Sequence, residues 1–274
     1  MASQDYKLAD NEYRVTSLLK GTRELVLERR YHEEIEQDVA DMIWLLLGTA
    51  AHKVLESFQE ESYQIKEERL KVEVGDKVLS GQFDLYDANL KQVIDYKTTS
   101  VWKIIYGDFE DWRRQLLIYA YMLKQTGFEV EGGEIIAILK DHNKREAKTK
   151  DNYPPLPVKK VSFSFSEKDF AECGQWIEKR LEEIGICLKL PDNDLPICTE
   201  KERYNSGDRF AVMKHGQKKA VKLFDNEFDA HQHLTNLLEV GKNCYIETRK
   251  GEDKKCKDYC SVCEFCNYYK EVVE

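Results

Sequence analysis

Apolar positions at helical spacing mark the first predictable element. Ala40, Ile43, Trp44, Leu47, Ala51, Val54, Leu55 and Phe58 recur every three or four residues and predict a helix over 39–60. Alternation of apolar and polar residues then predicts strands over 68–74 and 78–87. After a turn at Asp87-Ala88-Asn89, VIDYKT, from Val93, predicts a third short strand. Helical periodicity returns over 110–125. Glu134 to Leu139 is a near-continuous apolar run, the signature of a buried central strand. Val161 to Phe165 predicts another strand, and 167–189 a long amphipathic helix. Helix, three strands, helix, strand, strand, helix is the order expected of an α/β fold with a mixed central sheet flanked by helices.

Prolines punctuate this pattern in two places. Pro154, Pro155 and Pro157 make DNYPPLP a loop, and Pro191 and Pro196 mark a boundary between a core of residues 1–197 and a smaller module of 198–274. The module has two strand-like halves around His215-Gly216, a helix that Asn226 can cap, and a last short strand at CYIET, a ββαβ pattern. No internal repeat or low-complexity tract interrupts the chain.

Composition narrows the class. The chain has 274 residues, enough for one large domain or a core with an appended module, and 42% hydrophobic with 11% aromatic residues fits a folded protein. A net charge of -9 argues against a general nucleic-acid coat protein, which would be basic. It leaves room for a site where acidic groups hold a metal ion. The polar N-terminus lacks the apolar region of a secretory signal, and the longest apolar stretch, Met42 to Leu47, falls far short of the roughly 20 residues of a membrane span. The expectation is a soluble cytoplasmic protein of a bacterial or phage-infected cell, with no membrane association. In such a reducing compartment eight cysteines read as candidate metal ligands rather than a disulfide framework.

The chemistry concentrates on two strands. Asp95 and Lys97, two apart in VIDYKT, point to one face, and Ile94 and Tyr96 to the other. In GQFD, Asp84 belongs to the polar set with Ser80 and Gln82. If the strands pair as a hairpin, Asp84 faces Asp95. Two such carboxylates repel unless a cation lies between them, and Mg²⁺ is the usual hard cation for oxygen ligands. With Lys97 beside it to orient water or stabilise developing charge, this is the minimal equipment for phosphodiester hydrolysis.

The order of motifs resembles the PD-(D/E)XK nuclease superfamily. G-x₂-D ending at Asp84 precedes D-x-K at Asp95 and Lys97. Gly48-x₃-His52-x₃-Glu56 lies on the first helix, Glu67 or Glu68 precedes the first strand, and Gln115-x₃-Tyr119 lies on the next helix. The segment Thr16 to Gly21 resembles the opening of such nucleases. Together these features are similar to the RecB-like branch. The resemblance implies that His52, Asp84, Asp95 and the backbone carbonyl of Tyr96 bind a catalytic Mg²⁺ or Mn²⁺, that Lys97 serves the attacking water, and that Gln115 and Tyr119 position DNA or the lysine. Asp95 stands where Glu is more usual.

The chain closes on Cys256-x₃-Cys260-x₂-Cys263-x₂-Cys266, a density of thiols that suits Zn²⁺ or an iron–sulfur cluster. Relatives in the RecB-like branch, AddB and the CRISPR adaptation exonuclease among them, carry an iron–sulfur staple in which a distant cysteine joins three near the C-terminus. That resemblance implies a 4Fe-4S cluster on Cys198, Cys256, Cys260 and Cys266, with Cys263 as an alternate; Zn²⁺ on the four clustered cysteines is the rival. The staple would tie the chain end back onto the core. Cys173, Cys187 and Cys244 lie on amphipathic elements and read as core.

Lys103, Arg113 and Arg114 are candidate DNA contacts near the site. Trp102 and Tyr106 read either as core or as rings that stack on a base of a single strand. Basic runs at 140–150 and on the C-terminal hairpin (Lys214, Lys218, Lys219, Lys222) read as phosphate-tracking or simply solvated faces. No G-x-x-x-x-G-K-[ST] occurs, so an ATP-driven motor would be another chain. The expectation is a metal-dependent DNA exonuclease of recombination, repair or phage DNA metabolism, acting on ends or single strands beside a helicase or a single-strand annealing protein. A non-catalytic DNA-binding adaptor, and an endonuclease or CRISPR adaptation factor, are the alternatives.

Overall fold

The computed structural model describes residues 9–36, 42–57 and 61–273. In chain order the elements begin with β1 (Glu12–Arg14), α1 (Val15–Leu18), α2 (Thr22–Arg30), α3 (Ile43–Glu56), β2 (Gln64–Lys66), β3 (Arg69–Val74), β4 (Lys77–Gln82) and β5 (Leu85–Asp87). They continue with β6 (Gln92–Thr99), α4 (Val101–Tyr106), α5 (Glu110–Gln125), β7 (Gly132–Leu139), α6 (Glu146–Thr149), β8 (Val158–Ser164) and α7 (Glu167–Cys187). The last are β9 (Arg209–Lys214), β10 (Ala220–Phe224), α8 (Glu227–Glu239), β11 (Cys244–Arg249) and α9 (Lys254–Asp258). The chain divides into two compact units, Met1–Lys20 with Glu36–Lys189 and Gly21–Ile35 with Leu190–Glu274.

The first unit is built on a five-stranded sheet in the order β2-β5-β6-β7-β8. Strands β6 and β7 run parallel and the other neighbours antiparallel, so the sheet is mixed. α5 packs on β6 and β7, and Leu116, Ile118 and Ala120 of this helix are buried. Gly133 of β7 admits that helix closely: a Cβ there would lie 3.1 Å from Leu116 Cδ1. A second sheet, β1-β4-β3, has β1 parallel to β4. α7 starts with a capping box, in which the Ser166 side chain accepts from Asp169 N–H and Asp169 accepts from Ser166 N–H. Near its other end Arg180 donates to the carbonyls of Leu18 and Lys20 and holds α1 in the same unit.

The predicted strand over 78–87 is two strands. β4 pairs with β3 in the smaller sheet, whereas β5 pairs with β2 and β6 in the larger one. The break falls at Phe83-Asp84, where Phe83 is buried. Across from it, β2 and β3 are separated at Glu67, whose φ of +49° turns the chain. α3 is shorter than the predicted helix, and its Ile43, Leu47 and Val54 are exposed. Ala40 and Phe58 of that prediction lie outside the described residues, as do the side chains of Trp44, Leu55 and Glu56.

The second unit holds the antiparallel sheet β10-β9-β11 with α8 packed on it through Val212, Ala230, Leu237 and Cys244. Asn226 caps α8 by accepting from Asp229 N–H at 2.8 Å. α2 belongs to this unit. Its buried Arg23 donates to the carbonyls of Leu195 and Pro196 and to Asn267, and Tyr31, just beyond it, stacks on Phe265 with ring centroids 4.3 Å apart. Among the described residues no helix is long and apolar enough to cross a membrane.

Candidate active site

The pleat of β6 turns Asp95 and Lys97 to one face, and the break between β4 and β5 brings Asp84 to the same place. Lys97 Nζ lies 3.1 Å from Asp95 Oδ1 and 2.8 Å from Oδ2. The Oδ2 contact is an ion pair without hydrogen-bond geometry, so among the described residues this buried oxygen has no hydrogen-bond partner. Asp84 Oδ2 accepts from Tyr96 N–H at 2.7 Å, which fixes its carboxylate against β6. From α3, His52 places Nδ1 3.4 Å from Asp84 Oδ1 and Nε2 2.8 Å from the Tyr96 carbonyl oxygen.

The electrostatics follow from that crowding. Burial pushes the Asp95 carboxyl up to about 6, with Lys97 opposing the shift and Asp84 adding to it. Hydrogen bonding to Asp84 raises His52 despite its partial burial. On α5, Gln115 Nε2 reaches Asp95 Oδ1 at 3.5 Å, and Tyr119, four residues on, bonds to Gln115. Burial raises the Tyr119 hydroxyl strongly, so it stays protonated. Gly81 makes room for this tyrosine: a Cβ there would come within 2.7 Å of both Tyr119 Cε1 and Val15 Cγ2. That is a steric reason for a glycine three residues before Asp84.

Ligand atoms of His52, Glu67 and Asp84 all lie within 4.8 Å of one another. Glu67 is the residue the sequence left undecided. Its left-handed backbone turns it to the site, where it accepts from Gln82 Nε2 at 2.8 Å, while Glu68 is exposed. One imidazole and hard carboxylates suit a divalent ion. With the unsatisfied Asp95 Oδ2, these donors fit such an ion.

The three candidate DNA contacts are engaged within the unit. Lys103 pairs with Asp111 at 2.8 Å, Arg113 with Asp169 at 2.5 Å, and Arg114 with Glu110 at 3.3 Å. Lys103 also lies over the Trp112 ring and Arg114 over Trp176.

In the second unit all five candidate cluster cysteines are free thiols, Cys266 buried and the others half-buried. Among the described residues, no three of these cysteines bring their Sγ atoms within 4.8 Å of one another. Burial pushes the Cys256 thiol up to about 11 and Cys260 up to about 12. Cys198 approaches the chain before α2 so closely that a Cβ on Gly21 would lie 2.7 Å from its Sγ. Arg23 Nη1 lies 3.8 Å from Cys266 Sγ. Cys173 and Cys187 are buried on α7, and Cys244 is buried on β11.

The model of a family described as the PD-(D/E)XK nuclease superfamily matches residues 4–268. No curated protein matches the chain. Among solved structures, SSO0001 is similar at 20% identity and a TM-score of 0.47, covering 65% of this chain and 78% of its own. An alkaline exonuclease from Laribacter hongkongensis is similar at 10% identity and a TM-score of 0.41, covering 65% and 90%. A phage-related exonuclease from Haemophilus somnus 129PT is similar at 13% identity and a TM-score of 0.39, covering 64% and 95%.

Proposed function

Because the chain belongs to the PD-(D/E)XK nuclease superfamily, we propose that it is a divalent-metal-dependent DNA exonuclease of the RecB-like kind, serving recombination, repair or phage DNA metabolism. The observation that carries this reading is the buried Asp95 carboxylate, one oxygen without a hydrogen bond among the described residues, set among Asp84, His52 and Lys97.

His52, Glu67, Asp84, Asp95 and the Tyr96 carbonyl would hold Mg²⁺ or Mn²⁺, which supplies the charge that polarises a scissile phosphate and acidifies water. Lys97 orients the attacking water and stabilises negative charge developing on the phosphoryl oxygens. Gln115 holds Asp95 by its amide, and Tyr119, kept neutral by burial, holds Gln115. Residues 1–197 are the nuclease core of this reading.

In the module of 198–274, Cys198, Cys256, Cys260 and Cys266 would hold a 4Fe-4S cluster, with Cys263 as the alternate ligand and Zn²⁺ as the rival occupant. The likeness is to AddB nuclease domains and the CRISPR adaptation exonuclease. Protein purified without air is expected to be brown, with absorbance at about 400 nm; a colourless zinc-loaded preparation overturns the iron assignment alone.

The nuclease is tested on end-labelled linear DNA, single- and double-stranded, with Mg²⁺ or Mn²⁺. Wild type is expected to release label, and Asp95→Ala and Lys97→Ala to release none while melting as folded proteins. Full activity of Lys97→Ala would remove that residue from the mechanism. A wild type that binds metal yet never cuts would point to a non-catalytic adaptor.

A further inference from the structure

The strand that carries Asp95 and Lys97 does not end in a loose loop. β6 stops at Thr99, Ser100 caps the next turn, and α4 follows at once. Asp141 anchors that helix from the chain just beyond β7: its carboxylate accepts from Ser100 Oγ at 2.6 Å and from Val101 N–H at 2.7 Å. Gly107, with φ of +70°, closes the helix after Tyr106. Two large rings stand on this short, fixed helix. Trp102 is 49% exposed and Tyr106 78% exposed, and their centroids lie 6.0 Å apart with planes inclined by 29°. Lys103, between them, is turned away to Asp111 and Trp112. The helix therefore offers water an aromatic surface, not a charged one.

The parallel register brings a basic arm to the same end of the sheet. Thr99 lies opposite Leu139, and Lys140 N–H donates to the Thr99 carbonyl at 3.0 Å, so the β7–β8 connection leaves beside α4. The connection is held in shape by buried Tyr153, whose hydroxyl accepts from Asn143 N–H at 2.8 Å, and by His142, 2.8 Å from the Pro154 carbonyl. It exposes Lys144, Arg145 and Lys148, and among the described residues none of these three side chains is in an ion pair. The acid nearest in sequence, Glu146, is paired with Lys150.

Aromatic rings for bases and cations for phosphates are the two parts with which proteins hold a single strand, because every base has a π-face while only an unpaired base exposes it. A duplex could meet the cations but not the rings. We propose that Trp102 and Tyr106 form a base-stacking platform, with Lys144, Arg145 and Lys148 as its phosphate rail, for an unpaired stretch of DNA next to the strand being cut. The preferred substrate is then a single-stranded or frayed end. The proposal rests on the nuclease reading for its direction toward β6, but the platform is measurable without cleavage.

The test is fluorescence anisotropy of labelled dT20 and of a 20-unit abasic strand of equal charge, without added divalent ion. Wild type is expected to bind dT20 about 5- to 100-fold more tightly than the abasic strand, the range that stacking of one base supplies. The Trp102→Ala/Tyr106→Ala protein should lose that discrimination, and Trp102→Phe should keep most of it. Lys144→Glu/Arg145→Glu/Lys148→Glu should weaken both strands together and flatten the salt dependence. No binding of dT20 by wild type, equal binding of the two strands by wild type, or discrimination that survives removal of both rings would overturn the platform. Failure of the nuclease reading shows separately, as wild type that discriminates between the strands yet releases no label with Mg²⁺ or Mn²⁺.

Discussion

A carboxylate withdrawn from water holds its proton longer, and Asp95 is such a group. Burial pushes it up to about 6, above the ordinary carboxylate value near 3.9. A raised carboxyl favours the folded state fully below the unfolded value, and the advantage is lost as pH rises through the folded one. Metal-free Asp95→Asn is therefore expected to be more stable than wild type at pH 7, by about 1–3 kcal/mol, with the difference vanishing toward pH 4. Thermal melting across that range checks it, and an unchanged gap at pH 4 would contradict the burial argument. Gly81 acts by absence of a side chain. Gly81→Ala drives a methyl against Tyr119 and Val15, and overpacking of this kind costs about 1–3 kcal/mol. It should also lower cleavage, since Tyr119 supports Gln115 against Asp95; a fully active, fully stable Gly81→Ala protein would show that the neighbours yield freely.

A helix end helps to fix where a site-bearing helix sits. α7 begins at the Ser166–Asp169 box, and Asp169 also receives Arg113 from α5, so one carboxylate fastens two helices. Its bonds with Ser166 and Arg113 hold it well below the usual carboxylate range. A depressed carboxyl contributes above its unfolded value and loses that contribution as pH falls toward the folded one. Asp169→Asn should accordingly destabilise at pH 7 by about 1 kcal/mol, and the penalty should shrink below pH 4. Denaturant titrations at pH 7 and pH 3 measure both. The same pair engages Arg113 within the unit, as the Lys103–Asp111 and Arg114–Glu110 pairs engage their cations.

The second unit joins two stretches far apart in the chain, α2 and the C-terminal residues, through Arg23, the Lys255–Glu24 pair and the Tyr31–Phe265 stack. Its thiols are raised by burial, so a metal that binds them as thiolates must displace their protons and returns binding energy as folding energy. Cys256→Ala is expected to lose metal and to lower the melting of this unit. Gly21→Ala, which crowds Cys198 Sγ, should reduce metal content while every cysteine remains. Elemental analysis beside melting curves distinguishes these outcomes, and full metal occupancy in Gly21→Ala would exclude Cys198 as a ligand.

Local pattern carried much of this protein. The periodicity over 110–125 is α5 to the residue, Asn226 caps α8 as its side chain allows, and the two-residue spacing of Asp95 and Lys97 puts both on one face of β6. These depend on helical pitch, capping and pleat, which operate within a few residues. The split at Phe83-Asp84, the turning of Glu67 toward Asp84, the enclosure of α2 by the C-terminal chain and the internal pairing of Lys103, Arg113 and Arg114 were not legible. Trp102 and Tyr106, read either as core or as surface, turned out exposed. Each depends on a partner distant in sequence. Alternation reports which face of a strand is apolar but not which strand lies beside it, and a charge reports what it can pair with but not what comes within reach.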